Sequence, residues 1–182
     1  MAKKISNGVK KILIAGGAGF IGSHIVNRLI SLGDRVIVLD NLSTGKKENI
    51  NRMAKFYLAD IRNERLVEKI FKKEKPDIVI NEAAKVYWEE EELKDLNSDL
   101  LVSAIGTINL LKNCVKHNVE KFIFASSISV YGRQPNKIKA SEAAAINFEE
   151  TPDTLFSYGF SKYSAERYII YFHQLYGLKY AI

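Results

Sequence analysis

Apolar residues along this chain fall into two alternating textures. Short unbroken runs at residues 11–15, 35–39, 55–59, 76–81 and 121–125 are bounded by glycine or polar clusters and predict buried strands. Between them the apolar positions recur at helical spacing. Phe20, Ile21, Ile25, Leu29 and Leu32 share one face before Gly33, a natural helix stop. Helices are also predicted over residues 63–73, 96–117 and 157–176, the last closed by Gly177. The polar stretch 133–156 has no clear period, and Tyr180, Ala181 and Ile182 read as the first residues of a sixth strand. Apolar strands separated by helices predict a doubly wound parallel sheet covered on both faces, a three-layer α/β/α arrangement whose last strands are missing.

Composition narrows the classes of function. A chain of 182 residues, 47% hydrophobic, supports one ordinary core, so residues 1–182 are expected to form one domain. The net charge of +6 comes from scattered lysines and arginines, with adjacent pairs such as Lys3-Lys4, Lys10-Lys11 and Lys72-Lys73. Without a basic face interleaved with aromatics, no nucleic-acid partner is expected. Cys114 is the only cysteine, which excludes an intrachain disulfide and a thiolate metal site; it reads as a small buried apolar residue, and no metal is expected. The first eight residues are polar, and no apolar run is long enough to span a bilayer, so the expectation is a cytoplasmic protein with no membrane partner.

The chemistry begins where the first strand ends. Gly16, Gly19 and Gly22 stand at three-residue intervals between that strand and the first helix. The first lets the strand turn sharply, the second lets a diphosphate approach the backbone, and the third lets helix and strand pack closely. The helix start would aim free N–H groups and the positive end of its dipole at that diphosphate. Asp40 lies eighteen residues beyond Gly22, at the carboxyl end of the second strand. A carboxylate there accepts from both ribose hydroxyls of an adenosine and repels a 2′-phosphate, which favours NAD over NADP. Asp60 follows the third strand, where it would accept from an adenine amino group or cap the next helix, while Ile61 covers the ring face. Ala83 and Ala84, past the fourth strand, are small enough for a cofactor to lie close.

Tyr158 and Lys162 are four residues apart on a predicted helix and so share a face. A nearby ammonium favours the phenolate and brings a tyrosine toward the operating pH. Such a tyrosine can exchange a proton with a substrate hydroxyl while a nicotinamide exchanges hydride at the same carbon. Ser127, after the fifth strand, would hold the substrate oxygen in line. The pair alone is common; its specificity comes from order, with the glycine turn, the acid after strand two and the serine after strand five preceding it.

That ordered set resembles the extended short-chain dehydrogenase/reductase superfamily, and within it the NAD-dependent epimerase/dehydratase family acting on nucleotide sugars. The resemblance rests on Gly16-Gly17-Ala18-Gly19-Phe20-Ile21-Gly22, on Asp40-Asn41-Leu42-Ser43-Thr44-Gly45, on Asp60-Ile61, on the segment from Ser126 through Gly132, and on Tyr158-Gly159-Phe160-Ser161-Lys162. It implies a Rossmann fold, NAD as cofactor, and a nucleotide-sugar substrate, a UDP-sugar above others. It further implies that Phe20, Ile21, Asn41, Ser43 and Gly45 join the cofactor site. Ser127 would be the catalytic hydroxyl, Tyr158 the acid/base, and Lys162 both a nicotinamide-ribose contact and the tuner of the tyrosine. The dehydratase branch places an Asp-Glu pair after the catalytic hydroxyl. Ile128 and Ser129 stand there, so the pattern looks most like UDP-glucose 4-epimerases.

Some features depart from that pattern. Glu82 precedes the paired alanines where an apolar residue is usual, Glu89, Glu90, Glu91 and Glu92 follow Trp88 in a loop that borders the sugar, and Ser103 replaces an asparagine. Family members continue into a smaller substrate domain, which is absent here, so the expectation is a truncated chain with weak NAD binding and impaired or absent turnover. Family members also pair the helices around 96–117 and 157–176, implying a homodimer. The alternatives are a non-catalytic NAD-binding or dimerisation module, and a related reductase acting on another carbonyl substrate.

Overall fold

A computed structural model describes residues 8–85, 97–132, 141–148 and 156–182. The elements run β1 (Lys11–Ala15), α1 (Phe20–Ser31), β2 (Arg35–Asp40), β3 (Lys55–Leu58), α2 (Glu64–Glu74) and β4 (Ile78–Asn81). They continue through α3 (Ser98–Leu100), α4 (Thr107–Lys116), β5 (Lys121–Phe124), α5 (Phe156–Tyr176) and β6 (Lys179–Ala181). All described strand pairs are parallel, in the order β3-β2-β1-β4-β5-β6. This is the doubly wound Rossmann order, whose reversal between β1 and β4 opens a crevice at the carboxyl ends of the strands.

Alternation along the strands sorts the core into two layers. Leu13, Ala15, Ile37, Leu39, Val79, Phe122 and Phe124 face α2, α4 and α5, where they meet Val67, Phe71, Leu110, Leu111, Cys114, Ala165 and Ile169. Ile12, Ile14, Val36, Val38 and Ile80 face the other way and pack with Val26 of α1. Cys114 is fully buried, as a small apolar residue would be.

Helix exits use left-handed residues. Gly33 (φ 93°) and Gly177 (φ 68°) follow α1 and α5, and both are legible as glycines. Lys75 (φ 50°) and Asn118 (φ 56°) do the same after α2 and α4 without that signal. Two further departures from the sequence expectation bear on the site. Asn63, not Asp60, caps α2, its side-chain oxygen accepting from Leu66 N–H at 3.1 Å. The helix expected over 96–117 is interrupted by a π-helical stretch, Leu101–Gly106, set between α3 and α4. There Thr107 Oγ1 donates back to the Ser103 carbonyl at 2.5 Å and accepts from Asn81 at 3.0 Å, tying the stretch to the end of β4. The sixth strand expected at the end of the chain forms, with Phe122 opposite Tyr180 and Ile123 opposite Ala181, and α5 docks through Ala165 and Ile169. The acidic run at 89–92 and most of the stretch 133–156 lie outside the described residues.

Candidate dinucleotide crevice and reacting pair

Gly16 leaves β1 with φ 80°, a conformation that side chains rarely adopt, and a Cβ on it would sit 2.7 Å from Ala83 N. Its N–H donates to the Leu39 carbonyl at 2.8 Å, so the turn is fastened to β2. A Cβ at Gly22 would overlap the Gly16 carbonyl oxygen. Gly22 is therefore the close-packing glycine expected from spacing, while Gly19, the N-cap of α1, keeps the floor of the turn open. No side chain caps α1 and its first turn holds no acid. The first N–H groups have no intrahelical acceptor and face outward with the positive end of the dipole.

Asp40 is 7% exposed and binds back onto the turn. Its Oδ2 accepts from Ala18 N–H at 2.9 Å, and its Oδ1 from Leu42 N–H at 2.8 Å. A carboxylate has about four acceptor positions, so room remains for ribose hydroxyls. Asp60 is held by Arg62, whose guanidinium donates at 3.0 and 2.8 Å, and by Asn41 at 2.9 Å. The Arg62 bonds, joined by Asn41 and opposed by partial burial, bring Asp60 down to about 2. The carboxylate expected from the sequence to contact adenine is thus already engaged by Arg62, a partner that residue spacing did not reveal.

One crevice collects Gly16, Gly19, Asp40, Asn41, Ser43, Asp60, Ile61, Ala83 and Ala84 from the sequence-based set. Thr44, Arg62, Glu82, Lys85, Ser98 and Val102 join it without having been predicted as ligands. Phe20 and Ile21 point outward, 82% and 62% exposed, and are not among the residues that line the crevice. Gly22 acts through packing, and a Cβ on Gly45 would meet Ala18 Cβ at 2.9 Å, so Gly45 closes the loop against the turn. Ile61 is part of the core as well as the wall, beneath Gly106 of the π-helical stretch.

The reacting pair stands where β5 and α5 meet. Ser127 is extended at the start of a short 3-10 turn, Ile128–Tyr131, and its Oγ accepts from Ser129 N–H at 3.2 Å. Gly159 lets α5 press on that turn, since a Cβ there would overlap the Ser129 carbonyl oxygen. Lys162 is 1% exposed and donates to the Ala125 carbonyl at 2.7 Å, with its Nζ 4.5 Å from the Phe124 ring centre and 5.8 Å from that of Tyr158. One turn further on, Glu166 accepts from Ser126 Oγ at 2.5 Å. Side chains four residues apart on α5 therefore grip consecutive residues of the β5 exit. Asp99 of α3, buried, accepts from Ser157 Oγ at 2.9 Å beside the tyrosine.

Electrostatics at this end differ from the expectation. Burial pushes the Tyr158 phenol up, hydrogen bonding with Ser127 pulls it down, and the charges of Asp99 and Glu82 push it up again. Lys162 lies against the ring with its Nζ turned to Ala125, and burial brings it down to about 8 while Glu82 opposes that fall. The lysine is thus in place, but the phenol stands above its ordinary value because burial and two carboxylates outweigh the Ser127 hydrogen bond.

Known proteins place these features in context. The model of the NAD dependent epimerase/dehydratase family matches residues 12–182. A UDP-glucose 4-epimerase of Halalkalibacterium halodurans is 36% identical over 171 residues, 93% of this chain and 48% of that protein. The crystal structure of Thermus thermophilus UDP-glucose 4-epimerase in complex with NAD superposes with a TM-score of 0.84 at 37% identity, over 93% of this chain and 53% of that one. The Thermotoga maritima UDP-glucose 4-epimerase with UDP-glucose gives 0.82 at 41% identity, over the same shares. The chain spans about half the length of the curated relatives it matches. The glycine turn, the acid after β2 and the α5 pair are the local expression of a family-wide match, and the chain belongs to the NAD dependent epimerase/dehydratase family.

Proposed function

We propose that residues 1–182 form one NAD-binding domain that serves in nucleotide-sugar 4-epimerisation, with a UDP-sugar as substrate. The observation that carries this reading is the position of α5, which brings Tyr158 and Lys162 to Ser127 at the sheet end that also carries the glycine turn. NAD bound in other family structures and UDP-glucose in the Thermotoga enzyme support it. The residues present fit the cofactor. The turn at Gly16 and Gly19 and the uncapped start of α1 suit its diphosphate, and Asp40 suits its adenosine ribose. Asn41, Ser43, Asp60 and Ile61 border the adenine end, and Ala83 and Ala84 the centre.

When bound, NAD supplies the acceptor, and then the donor, of the hydride at the sugar carbon. Tyr158 takes the proton of the sugar hydroxyl at its phenol oxygen and returns it after the sugar has turned over. Ser127 donates to the same oxygen and keeps it in line. Lys162 would donate to the nicotinamide ribose, and an ammonium beside the Tyr158 ring favours the phenolate. Nothing in this scheme calls on a metal or a nucleic acid, and it is placed in the cytoplasm. Leu101, Ile105, Tyr168 and Tyr171, each more than 40% exposed, support a homodimer through this helical face.

Calorimetric titration with NAD and NADP tests the cofactor assignment; NAD is expected to bind at least tenfold more tightly, and tighter NADP binding would sink the role of Asp40. Turnover of UDP-glucose is then measured for the chain and for Tyr158→Phe. Lost turnover with NAD affinity unchanged supports the epimerase reading, whereas NAD binding without any turnover to lose favours a cofactor-binding module.

A further inference from the structure

The crevice contains one carboxylate that this scheme leaves unused. Glu82 directly follows β4, and its N–H donates to the Ala15 carbonyl at 2.8 Å, which carries the β1–β4 ladder one residue further. Its main chain lies against Gly16, and its half-buried side chain lines the crevice. On the neighbouring strand Phe124 stands opposite Asn81, and Ala125 N–H donates to the Asn81 carbonyl at 3.1 Å. Glu82 and Ala125 therefore leave the sheet side by side. The Ala125 carbonyl is the acceptor of Lys162 Nζ, so the glutamate and the buried ammonium share one corner of the sheet.

That ammonium is poorly compensated. It has three N–H donors, and its polar partner is a single carbonyl, supplemented by the faces of Phe124 and Tyr158. Among the described residues Lys162 makes no direct ion pair. We propose that Glu82 is a positioning residue of the cofactor site, the through-space counter-charge that keeps buried Lys162 protonated where it meets the nicotinamide ribose. The role of the ribose rests on the reading given above; the pairing of the two charges does not.

The two groups respond to each other in both directions. Burial brings Lys162 down to about 8 and Glu82 raises it, while burial pushes Glu82 up and Lys162 draws it down. The other charges around the crevice have their own engagements. Asp40 is bound by backbone N–H groups, Asp60 by Arg62 and Asn41, and Asp99 of α3 by Ser157, while Lys85 lines the mouth. Tyr158, on α5 beside Lys162, is raised above its ordinary value by burial and by the charges of Asp99 and Glu82. Glu82 is the carboxylate that acts on Lys162. Without it, Lys162 would begin to lose its proton close to neutral pH, and with it a hydrogen-bond donor and a positive charge.

The test is an NMR titration of lysine side chains, labelled with carbon-13, in the full chain without cofactor. The Lys162 signal is identified by its loss in Lys162→Met. In Glu82→Gln the Lys162 midpoint is expected to fall by on the order of half a pH unit, the size of one charge acting across a partly hydrated gap. Glu82→Asp, which keeps the charge, should restore most of that fall. An unmoved midpoint in Glu82→Gln overturns the proposal whether or not NAD binds. NAD titrations across alkaline pH supply the second readout: the loss of affinity should set in at lower pH in Glu82→Gln, by the same shift. If that variant instead binds NAD several-fold more tightly at every pH with its Lys162 midpoint unmoved, Glu82 merely repels the diphosphate and the proposal fails. A midpoint that moves in a protein that never binds NAD upholds the charge pairing and removes the cofactor reading.

Discussion

At the β2–β3 end of the crevice, charge is locked into the fold. Asp40 accepts two backbone N–H groups, and Asp60 accepts the Arg62 guanidinium and the Asn41 amide. At the β5–α5 end, charge is held at a cost. Lys162 is buried with one carbonyl partner, Tyr158 is raised, and the charge of Glu82 acts on both. The first end uses its charges to hold the glycine turn in shape, so structure and ligand recognition reinforce each other there. The second keeps a charge whose burial favours neutrality, which is the arrangement expected where proton transfer occurs. Fold stability and function should therefore separate at the second end and fall together at the first.

The largest effect is expected at Gly22. Gly22→Ala drives a methyl group into the Gly16 carbonyl and should lower unfolding free energy in urea by about 3 kcal/mol, together with loss of NAD binding. Asp40→Ala comes next, since it strands the amides of Ala18 and Leu42. A loss of about 2 kcal/mol is expected, with NAD affinity down at least tenfold and weaker discrimination against NADP. Lys162→Met should part the two properties: NAD affinity falls roughly tenfold while stability stays level or rises by up to about 1 kcal/mol, because a buried charge is replaced by an apolar chain. A loss of stability matching that at Asp40 would erase the contrast.

The smallest effect is in pH, where the two ends should carry opposite signs. Asp60 is lowered from 3.8 to about 2, so its contribution is present above pH 4 and is lost as pH falls through that interval; with solvent screening it is on the order of 1 kcal/mol. Lys162 is lowered from 10.5 to about 8, so its charge burdens the fold below that range and the burden lifts as pH rises through it. Unfolding curves of the parent chain, Asp60→Asn and Lys162→Met across acid and alkaline pH check both signs. The acid loss should vanish in the first variant, and the alkaline gain in the second.

The first end is also the more legible one in sequence. The spacing of Gly16, Gly19 and Gly22 and the position of Asp40 specify a turn and its anchor, because those demands are local or run between adjacent parallel strands. The π-helical stretch is not legible: it depends on Thr107 reaching Ser103 and Asn81, and Asn81 lies on another element. Asp60 reads as an adenine contact or a cap, and nothing in its spacing shows that Arg62 would fold back upon it. Tyr158 and Lys162 are found by their order along the chain. Their electrostatic state is set first by burial, then for Tyr158 by Ser127, Asp99 and Glu82 and for Lys162 by Glu82, surroundings that only the folded chain assembles.

The double grip of α5 on the β5 exit has a mechanical consequence. Lys162 holds Ala125 and Glu166 holds Ser126, at two heights along one helix. A helix pinned at two such points can neither roll about its axis nor slide along it without breaking a bond. Ser127, next along the β5 exit, and Tyr158, one turn before Lys162, are thereby fastened to each other through these two bonds.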